Sequence, residues 1–509
     1  MRRFAVLLLC LTMLAACGRQ PRVLSAAVYT QSHGGPMTVR VTADEAGVIR
    51  SVELLECSDT PAVGGAAAGV LIDRVLHAGT TRVDAVAGAT VTSMALLDAI
   101  DRAATEIDAR LEADPRPPAV RGDRTCDVLV VGGGAAGLYA ALTAARQGAG
   151  VLLCEKLSIL GGSAAVSGGR LSLLREEFRA ADTVRELRAL GVRFLCDADA
   201  LHYTALDEAR GLTGGSALVE PLAKAARAAG AEILTDAEAT DLITDRSGRV
   251  TGAVFGGEGG FTVSARAVVL CTGGSLPGAG LPNGTVAAMT TLSYGTSPVA
   301  MAAGIGAEVR AYTASVATLR CGDCADGILV NSEGRRFCDE SGDPYAAAAA
   351  LLARGETACW LISDRPVPSP AAVSAPTVEE LAGLLGMDGL AETVARYNSF
   401  CPVGLDGDFG RRSDTIRAVR GGCYYAERRA VTVCGCVGGL LVDESGAVLG
   451  ENGPIAGLYA AGEAANAIWF PDGVAEQGLS LAQVFCSAAL AGKAAAAAAL
   501  TGRPAEQDG

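Results

Sequence analysis

The chain has 509 residues, half of them hydrophobic and 19% charged, with a formal net charge of −14 at pH 7. This composition excludes a globally disordered protein, because the apolar side chains suffice for a large core. It also argues against nucleic-acid binding, since an acidic chain without a basic run offers few contacts to phosphates.

The first residues have the pattern of an export signal. Met1–Arg3 is basic, Phe4–Leu14 is apolar, and small residues precede Cys17. The apolar stretch is shorter than the ~20 residues that span a bilayer, which is typical of a cleaved secretory signal. The segment resembles the lipobox of bacterial lipoproteins. The resemblance implies that residues 1–17 are a lipoprotein signal peptide and that the protein is extracytoplasmic, with a lipid anchor to the cell membrane at Cys17. An ordinary signal peptide with an incidental cysteine is the alternative.

The rest of the chain divides into two units joined by a linker. Residues 25–110 form the first unit, residues 111–125 a Pro-rich charged linker, and a larger unit begins at Cys126. In the first unit, alternating apolar residues predict strands and helical spacing predicts helices. The predicted elements are strands Met37–Thr42 and Val48–Leu54 and helices Ala66–His77 and Met94–Leu111.

A run of small residues precedes the second of these helices. Residues 84–93 read Asp-Ala-Val-Ala-Gly-Ala-Thr-Val-Thr-Ser. The small side chains let a bulky group approach the backbone closely, and Thr90 offers a hydroxyl group there. Helix capping is a second interpretation, with Thr92 or Ser93 as the N-cap before Met94–Ile100. The two interpretations are compatible.

This run resembles the Asp-x-x-(Ser/Thr)-Gly-Ala-Thr signature of FMN-binding domains, in which a flavin transferase links FMN to the last threonine through a phosphoester. The likeness extends over residues 25–110 and includes Glu56–Thr60, although Ala87 stands where the family has Ser or Thr. It implies a small α+β domain with covalent FMN on Thr90 and a flavin transferase as partner. The residues that match the signature are Asp84, Gly88, Ala89 and Thr90.

A dinucleotide-binding pattern opens the larger unit. The apolar strand 127–131 leads into Gly132-Gly-Gly-Ala-Ala-Gly137, a helix over Leu138–Gln147, and a second strand, Gly150–Cys154, that ends at Glu155. Glycines in this turn let a pyrophosphate reach backbone N–H groups at the helix N-terminus, and a terminal acid accepts hydrogen bonds from ribose hydroxyls. Strand, turn, helix, strand and acid in this order predict a bound dinucleotide.

Further segments resemble the flavoprotein family of fumarate reductase and succinate dehydrogenase, which also holds urocanate reductases and 3-ketosteroid dehydrogenases. The likeness covers residues 126–505 and implies non-covalent FAD. The matching segments are Gly161–Gly169, Ala267–Gly274, Gly457–Glu463 and Gly478–Leu481. The residues implied to surround FAD are Gly132, Gly134, Gly137, Glu155, Lys156, Gly161, Gly162, Ser163, Gly274, Glu463, Ser480 and Leu481.

The two resemblances imply an α/β protein in which a Rossmann-like FAD-binding domain carries an inserted α+β clamp domain that covers the substrate. The small FMN-binding domain precedes it. The expected boundaries are 25–110 for the FMN-binding domain, 126–290 and 434–505 for the two parts of the FAD-binding domain, and 291–433 for the clamp.

The family's contacts to fumarate are largely replaced in this chain. The family's proton-donating Arg falls on Pro344, and the Glu and Arg that relay the proton fall on Arg320 and Asp323. The two substrate-binding His residues fall near Thr318 and at Cys434 or Gly435, and a carboxylate-binding Arg falls on Ala475. A carboxylate without a cation in a buried pocket is strongly destabilised. We therefore reject fumarate as the substrate.

Two residues near these positions are candidates for catalysis. Tyr345 follows Pro344, and the stretch from Glu340 to Tyr345 resembles the ketosteroid dehydrogenase branch, in which a tyrosine serves as the acid. A phenol with a pKa of ~10 needs a neighbour to act near neutral pH. Arg320 would supply that neighbour or bind an anion. Alternatively, Tyr345 packs a turn and Arg320 is a solvated surface charge.

Cys321-x-x-Cys324 and Cys434-x-Cys436 fall on segments that line the family's substrate pocket. Three interpretations stay open: free thiols, a disulfide or redox pair, and a zinc or iron–sulfur site. Free thiols are preferred, and no metal ligand is predicted.

Together these features predict an exported two-flavin oxidoreductase that acts on CH–CH bonds. Electrons from a membrane donor are expected to pass from FMN on Thr90 to FAD, and then as hydride to an activated C=C bond of a small organic acceptor. One alternative is a ketone or steroid-type dehydrogenase that runs in the oxidative direction. Another is a non-catalytic electron-transfer flavoprotein.

Overall fold

The computed structural model describes residues 24–113, 121–198, 200–208, 210–256, 260–274, 286–287, 298–319, 327–367, 371–471, 473–474 and 476–501. The chain forms two compact units, residues 1–120 and 121–509. The boundary between them falls within the linker segment expected at 111–125. The predicted signal peptide and lipid anchor lie outside the described residues.

The first unit is a three-stranded antiparallel sheet with two helices, in agreement with the expected small α+β domain. Helix α2 packs on β1 and β2, where Val39, Val41 and Ile100 are fully buried, because apolar residues alternate along β2 and recur at helical spacing along α2. The elements are β1 (Leu24–Ser32), β2 (Gly35–Ala43), β3 (Ile49–Cys57), α1 (Ala66–Ala78) and α2 (Thr90–Glu106).

Helix α2 begins four residues before its predicted start. Ala89 is its N-cap, and Thr90 is its first residue. The predicted N-cap role of Thr92 or Ser93 is wrong, because both lie in the first turn. The Thr92 hydroxyl donates to the buried carboxylate of Asp59, and Ser93 Oγ donates to the carbonyl oxygen of Ala89 at 2.9 Å. These two hydroxyls are thus used within the fold, and Thr90 is exposed.

The second unit alternates strands and helices along most of its length. Its first elements are β4 (Arg124–Val131), α3 (Ala135–Arg146), β5 (Val151–Cys154), α4 (Gly162–Ala165), β6 (Arg170–Ser172), α5 (Ala180–Ala189), β7 (Arg193–Cys196), β8 (His202–Asp207), β9 (Leu212–Thr213), α6 (Ser216–Ala228), β10 (Glu232–Leu234), β11 (Ala239–Thr244), β12 (Val250–Phe255) and β13 (Phe261–Leu270). The later elements are β14 (Val286–Ala287), α7 (Pro298–Gly304), β15 (Val309–Leu319), β16 (Gly327–Val330), α8 (Pro344–Leu352), β17 (Ala358–Ser363), β18 (Val373–Ala375), α9 (Val378–Leu385), α10 (Leu390–Phe400), β19 (Tyr424–Leu440), β20 (Ala447–Gly450), β21 (Gly453–Ala460) and α11 (Leu479–Thr501).

The main sheet of this unit has a parallel centre. Its strand order is β10-β5-β4-β13-β12-β11, and β21 also pairs with β13. Strands β10, β5, β4, β13 and β21 run parallel. Val128–Val131 and Val151–Cys154 are buried throughout, as expected for central parallel strands covered on both faces. The carboxyl ends of these strands therefore meet at one edge, where the glycine-rich turn follows β4.

A second sheet, built from β14 to β19, forms the clamp region. The long strand β19 pairs with β17 through Tyr425–Ala430 and with β15 through Val431–Leu440. It therefore continues without a break across the boundary that the sequence placed between residues 433 and 434. The clamp and the second part of the FAD-binding domain share this strand.

Helix α11 is long and apolar enough to cross a membrane by length and composition alone. Here it packs against α3, and Gly492 lies so close that an added Cβ would be 2.6 Å from the carbonyl oxygen of Ala140. Phe485 and Ala488 are fully buried. This packing is that of a core helix, in keeping with its Ala-rich sequence and with Lys493.

A buried ion network holds the clamp region together. The Arg336 guanidinium donates to Glu340 at 2.7 and 2.8 Å and to Asp406 at 2.9 and 3.1 Å, and it lies 4.7 Å from the ring centre of Tyr397. Burial alone would raise the pKa of Asp406, but the hydrogen bonds from Arg336 outweigh it and lower that pKa to about 2. Glu340 thus has a structural role as a partner of Arg336.

Acid is expected to remove the contribution of Asp406 to stability between about pH 4 and pH 2. The Asp406 carboxyl has a pKa of about 2 in the folded chain and 3.8 in the unfolded chain. Its contribution to stability is therefore complete above pH 3.8 and is lost as the pH falls through 2. This difference is worth about 2 kcal/mol. Asp406→Asn should lower the free energy of unfolding at pH 7 by about 3–5 kcal/mol, and the gap to the wild type should narrow by about 2 kcal/mol in acid. Urea unfolding followed by tryptophan fluorescence measures both quantities.

The matched control is Asp414→Asn. Asp414 pairs with Arg412, but both side chains are about two-thirds exposed (69% and 66%). An exposed pair contributes at most about 1 kcal/mol. A gap between Asp406→Asn and the wild type that is independent of pH would contradict the assignment of a low pKa to Asp406.

Candidate active site

The turn after β4 is shaped by glycines that no other residue can replace. Gly132 has φ +104°, and a Cβ there would lie 2.4 Å from the carbonyl oxygen of Cys271. A Cβ on Gly137 would lie 1.8 Å from the carbonyl oxygen of Gly132. Helix α3 follows with Gly134 as its N-cap and no side chain on its first N–H groups. These N–H groups are therefore available to an anion such as a pyrophosphate.

Glu155 closes the same turn from the end of β5. Its carboxylate is buried and accepts the N–H of Gly133 at 2.5 Å and that of Leu157 at 2.8 Å. Burial raises the pKa of Glu155 above its ordinary value, although the two N–H donors oppose this effect. A carboxylate held in this way keeps lone pairs that ribose hydroxyls can use, and the predicted ribose contact of Glu155 stays a prediction.

One cavity of about 520 Å³ joins this turn to Tyr345. All residues predicted to surround FAD line it except Gly137, which packs against Gly132 below the turn. The predicted residues in the lining are Gly132, Gly134, Glu155, Lys156, Gly161, Gly162, Ser163, Gly274, Glu463, Ser480 and Leu481.

Four polar atoms in this lining are buried and have no hydrogen-bond partner among the described residues. They are Arg170 Nε, the hydroxyl oxygens of Thr272 and Ser480, and the amide nitrogen of Gln483. Buried polar atoms are nearly always paired in folded proteins. An elongated polar molecule in the cavity would supply the missing partners, so the residues present fit FAD.

Glu463 and Asn466 fix the strand that forms the far wall. The Glu463 carboxylate accepts the N–H of Cys436 at 2.7 Å, and burial raises its pKa above the ordinary value. Asn466 donates to the carbonyl oxygen of Cys436 at 2.8 Å and accepts the N–H of Gly438 at 2.9 Å. A Cβ on Gly274 would lie 2.3 Å from the sulfur of Cys436, so this glycine is required for the close approach.

Tyr345 and Cys434 meet at the wall of the cavity. The phenol oxygen lies 3.5 Å from the Cys434 sulfur, and both residues line the cavity. Asp343 is the N-cap of α8, and its carboxylate accepts the N–H of Tyr345 at 2.7 Å and that of Gln477 at 3.1 Å. Burial, followed by the contact with Cys434, raises the pKa of Tyr345 above its ordinary value, so the phenol stays protonated at neutral pH.

Tyr345 therefore lies at the cavity, as its predicted role requires, and it also packs in the apolar cluster of Phe178 and Phe470. Arg320, the second predicted catalytic residue, lies outside the described residues, as do Cys321 and Cys324. No disulfide joins Cys434 or Cys436 to another described residue. Within the described part of the chain, no group of three or more His, Cys, Asp or Glu has the arrangement of a metal site.

The predicted FMN residues lie together at the start of α2. Thr90 is exposed, and Asp84 is exposed beside the turn that leads to it. Gly88 has φ +86°, and Ala89 is a buried N-cap without a side-chain hydrogen bond to the helix. The Thr90 hydroxyl thus stands at an uncapped helix N-terminus, which favours a phosphate group.

The parallel sheet, the glycine turn and the cavity define an FAD-dependent oxidoreductase. Residues 127–190 and 179–471 match the FAD binding domain family, and residues 33–105 match the FMN-binding domain family. The chain belongs to the FAD binding domain family and carries an FMN-binding domain before it. The predicted fold class is confirmed.

Known relatives place the chain among flavin-dependent reductases of the fumarate and urocanate reductase type. It is 28% identical to a urocanate reductase from Eggerthella lenta, over 85% of this chain and 86% of that protein. It is 28% identical to a fumarate reductase (cytochrome) from Shewanella frigidimarina, over 67% of this chain and 72% of that protein.

Solved structures show the same fold. The open conformation of a flavocytochrome c3 fumarate reductase matches with a TM-score of 0.55 and 26% identity, over 74% of this chain and 79% of that chain. The 3-ketosteroid-Δ4-(5α)-dehydrogenase from Rhodococcus jostii RHA1 matches with a TM-score of 0.59 and 24% identity, over 74% of this chain and 98% of that chain.

Several lining residues were missed by the sequence analysis as cofactor contacts. Thr272 lies within the recognised segment Ala267–Gly274 but was not named as a contact, and Gln483 lies three residues after Ser480. Position i+3 on a helix faces the same side, so Gln483 was open to prediction. Gln477 and Asn466 carried no comparable signal, because their positions depend on tertiary contacts.

Gly137→Ala is expected to abolish FAD binding. The added methyl group would lie 1.8 Å from the carbonyl oxygen of Gly132, a backbone atom that cannot move without opening the turn. Purified protein should lose its FAD absorbance, with retention below about a tenth of the wild-type FAD content. Gly383→Ala is the control, because Gly383 lies in α9 and a methyl group added there would have no neighbouring atom within 4 Å. Full FAD content in Gly137→Ala would contradict the role of this glycine.

Proposed function

We propose that this protein is an extracytoplasmic, lipid-anchored reductase that transfers electrons to an activated C=C bond of a small organic acceptor other than fumarate. The observation that supports it is the cavity that joins the FAD turn to the Tyr345–Cys434 pair. The bound flavins would supply the redox chemistry: electron transfer from FMN on Thr90 and hydride transfer from FAD.

The chain's own residues do the remaining work. The turn at Gly132–Gly137 and Glu155 hold the dinucleotide, and Glu463 fixes the wall opposite. Tyr345 holds a proton at its phenol oxygen inside a partly buried site. A protonated acid in contact with the acceptor carbon completes the addition. Neither cofactor binding nor proton donation needs a histidine here, and His202 does not line the cavity.

The membrane placement rests on the sequence of residues 1–17, with a lipid on Cys17. A flavin transferase would attach FMN, and a membrane electron donor would reduce it. These partners follow from the pattern at Thr90 and from the presence of two flavin domains in one chain.

One second candidate is the reverse reaction, dehydrogenation of a ketone or steroid-type compound. The position of Tyr345 at the cavity beside Cys434 favours it, because a tyrosine serves as the acid in the ketosteroid dehydrogenase branch that the sequence resembles. A non-catalytic electron-transfer flavoprotein is the third candidate, motivated by the replaced fumarate contacts.

A direct test begins with denaturation of the purified protein and analysis of the flavin. Release of FAD with FMN retained on the peptide that contains Thr90 is expected. The native protein is then assayed anaerobically in both directions. Oxidation of reduced viologen by acceptors with an activated C=C bond supports the reductase, and dye reduction by saturated ketones supports the reverse reaction. Bound flavins without turnover in either direction would contradict both enzymatic proposals.

A further inference from the structure

The phenol of Tyr345 has one hydrogen-bond partner among the described residues, the thiol of Cys434. The oxygen and the sulfur lie 3.5 Å apart, and either atom can be the donor. Both side chains line the cavity, so a proton that leaves the phenol towards a bound acceptor leaves beside this sulfur. The reductase mechanism described above uses the phenol and gives the thiol no role.

Backbone hydrogen bonds hold both members of the pair in place. The Asp343 carboxylate accepts the N–H of Tyr345 at 2.7 Å at the start of α8. Cys434 lies on β19, and two residues further along this strand the N–H of Cys436 donates to Glu463 at 2.7 Å. Side chains carried on a helix and a strand are held more precisely than side chains on loops.

Apolar side chains surround the pair. Tyr345 and Cys434 both pack against the cluster that contains Phe178 and Phe470. In such surroundings a hydrogen bond is stronger than in water, and a charge without a partner is costly. A phenolate left by proton donation would therefore need a hydrogen-bond donor at once, and the thiol is in contact with it.

Two polar side chains on neighbouring elements are already used. Thr318 donates its hydroxyl to the carbonyl oxygen of Leu319 at 3.3 Å. The second carboxylate oxygen of Asp343 accepts the N–H of Gln477 at 3.1 Å, so both of its oxygens serve backbone groups. In the part of the chain that the structure describes, Cys434 is therefore the group placed to return a proton to the phenol.

The acidities of the two groups fit a transfer from sulfur to oxygen. A thiol is ordinarily the stronger acid, with a pKa of ~8.5 against ~10 for a phenol. Burial raises the pKa of both Tyr345 and Cys434. Their contact opposes this rise in the pKa of Cys434 and adds to it in the pKa of Tyr345, so the order of the two acids is kept. A proton therefore moves downhill from the thiol to the phenolate.

We propose that Cys434 is a positioning residue for Tyr345 that also supplies the phenol with its next proton, an inference that rests on the reductase function proposed above. As the phenol O–H bond breaks and its proton goes to the acceptor carbon, the S–H bond of Cys434 breaks and a new O–H bond forms at Tyr345. The thiolate then takes a proton from solvent. The sulfur is neither oxidised nor reduced, because the electrons come from the reduced flavin.

The dependence of flavin reoxidation on deuterium tests this relay. Chemically reduced, FAD-loaded protein is mixed anaerobically with 2-cyclohexen-1-one or with cinnamate, and the reoxidation rate constant is measured in mixtures of H2O and D2O. Two protons that move together give a curved dependence on the deuterium fraction, and one proton gives a straight line. We expect a curve for the wild type and a straight line for Cys434→Ala, with a rate constant lower by about 10- to 100-fold. Cys434→Ser keeps a proton donor and should restore the curve and most of the rate.

Cys423→Ser is the matched control. Cys423 is hydrogen-bonded to Tyr425, and both residues lie outside the cavity lining. This variant removes a thiol from beside a tyrosine elsewhere in the protein, so it should keep the wild-type rate constant and the curve.

A second measurement needs no acceptor. Iodoacetamide alkylates Cys434 in the oxidised, FAD-loaded protein, and mass spectrometry of its peptide gives the rate. Tyr345→Phe removes the hydrogen bond that opposes the rise in the pKa of Cys434, so less thiolate is present and alkylation at a fixed pH should be about 10-fold slower.

The outcomes separate this inference from the reductase function. A wild type that neither probe reoxidises would contradict the reductase itself. Alkylation of Cys434 that is unchanged or faster in Tyr345→Phe, or a curve and a rate that persist in Cys434→Ala, would overturn the relay alone. A curve that is lost in Arg320→Gln and kept in Cys434→Ala would also overturn it and give the proton to Arg320.

Discussion

Thr90→Ala is expected to abolish covalently bound flavin completely and to leave the FAD content unchanged. Thr90 is exposed as the first residue of α2, and its N-cap Ala89 leaves the first N–H groups without a side-chain partner. A phosphoester at this hydroxyl would place its phosphate at the positive end of the helix. Alanine removes the hydroxyl, and it is a better helix former than threonine, so the helix itself is retained.

The measurement is acid precipitation of the purified variant, followed by flavin fluorescence of the pellet and the supernatant. Thr105→Ala is a matched control on the same helix, because its hydroxyl donates to the Asp101 carbonyl oxygen and stands at the other end of α2. Covalent flavin that persists in Thr90→Ala would disprove the attachment site.

Tyr345→Phe is expected to lower the turnover number by about 10²–10⁴-fold while the protein keeps its FAD. The substitution removes the phenol oxygen at 3.5 Å from Cys434 and leaves the ring in its apolar cluster. Because the phenol donates its proton, a raised pKa keeps the wild-type tyrosine in its active form. Wild-type activity should therefore show no loss from deprotonation of Tyr345 between pH 7 and its ordinary pKa of ~10.

Single-turnover reoxidation of the reduced protein by an accepted substrate, measured across this pH range, tests the assignment. Tyr425→Phe is the control, since Tyr425 lies on β19 outside the cavity lining. A reoxidation rate for Tyr345→Phe within about 2-fold of the wild-type rate would contradict the role of Tyr345 as proton donor and leave it a packing residue.

Most of the predicted FAD site could be located from the sequence, because the site depends on backbone geometry that only certain residue types allow. A Cβ added to Gly132 or Gly137 would lie within 2.5 Å of a carbonyl oxygen, so only glycine fits, and the residue type itself records this requirement. Glu155 was found for a similar reason, as the acid that ends a buried strand.

The acceptor end of the cavity was less open to prediction. The contact between Tyr345 and Cys434 joins residues 89 positions apart, and the hydrogen bond from Gln477 to Asp343 spans 134 positions. Phenol, thiol and amide groups occur throughout protein cores, so their residue types carry no signal until the fold brings them together. The start of α2 was misplaced because Thr92 and Ser93 are good caps, yet the Thr92 hydroxyl donates to Asp59 and the Ser93 hydroxyl to the carbonyl oxygen of Ala89.

The shared strand β19 has a mechanical consequence. It is hydrogen-bonded to the clamp through β17 and continues to Cys436, whose N–H is held by Glu463. A rigid rotation of the clamp would have to bend this strand or shift Cys434 and Cys436 along the cavity wall. Any opening of the clamp would therefore move the two thiols along the cavity, and the absorbance of a flavin bound there would change with it.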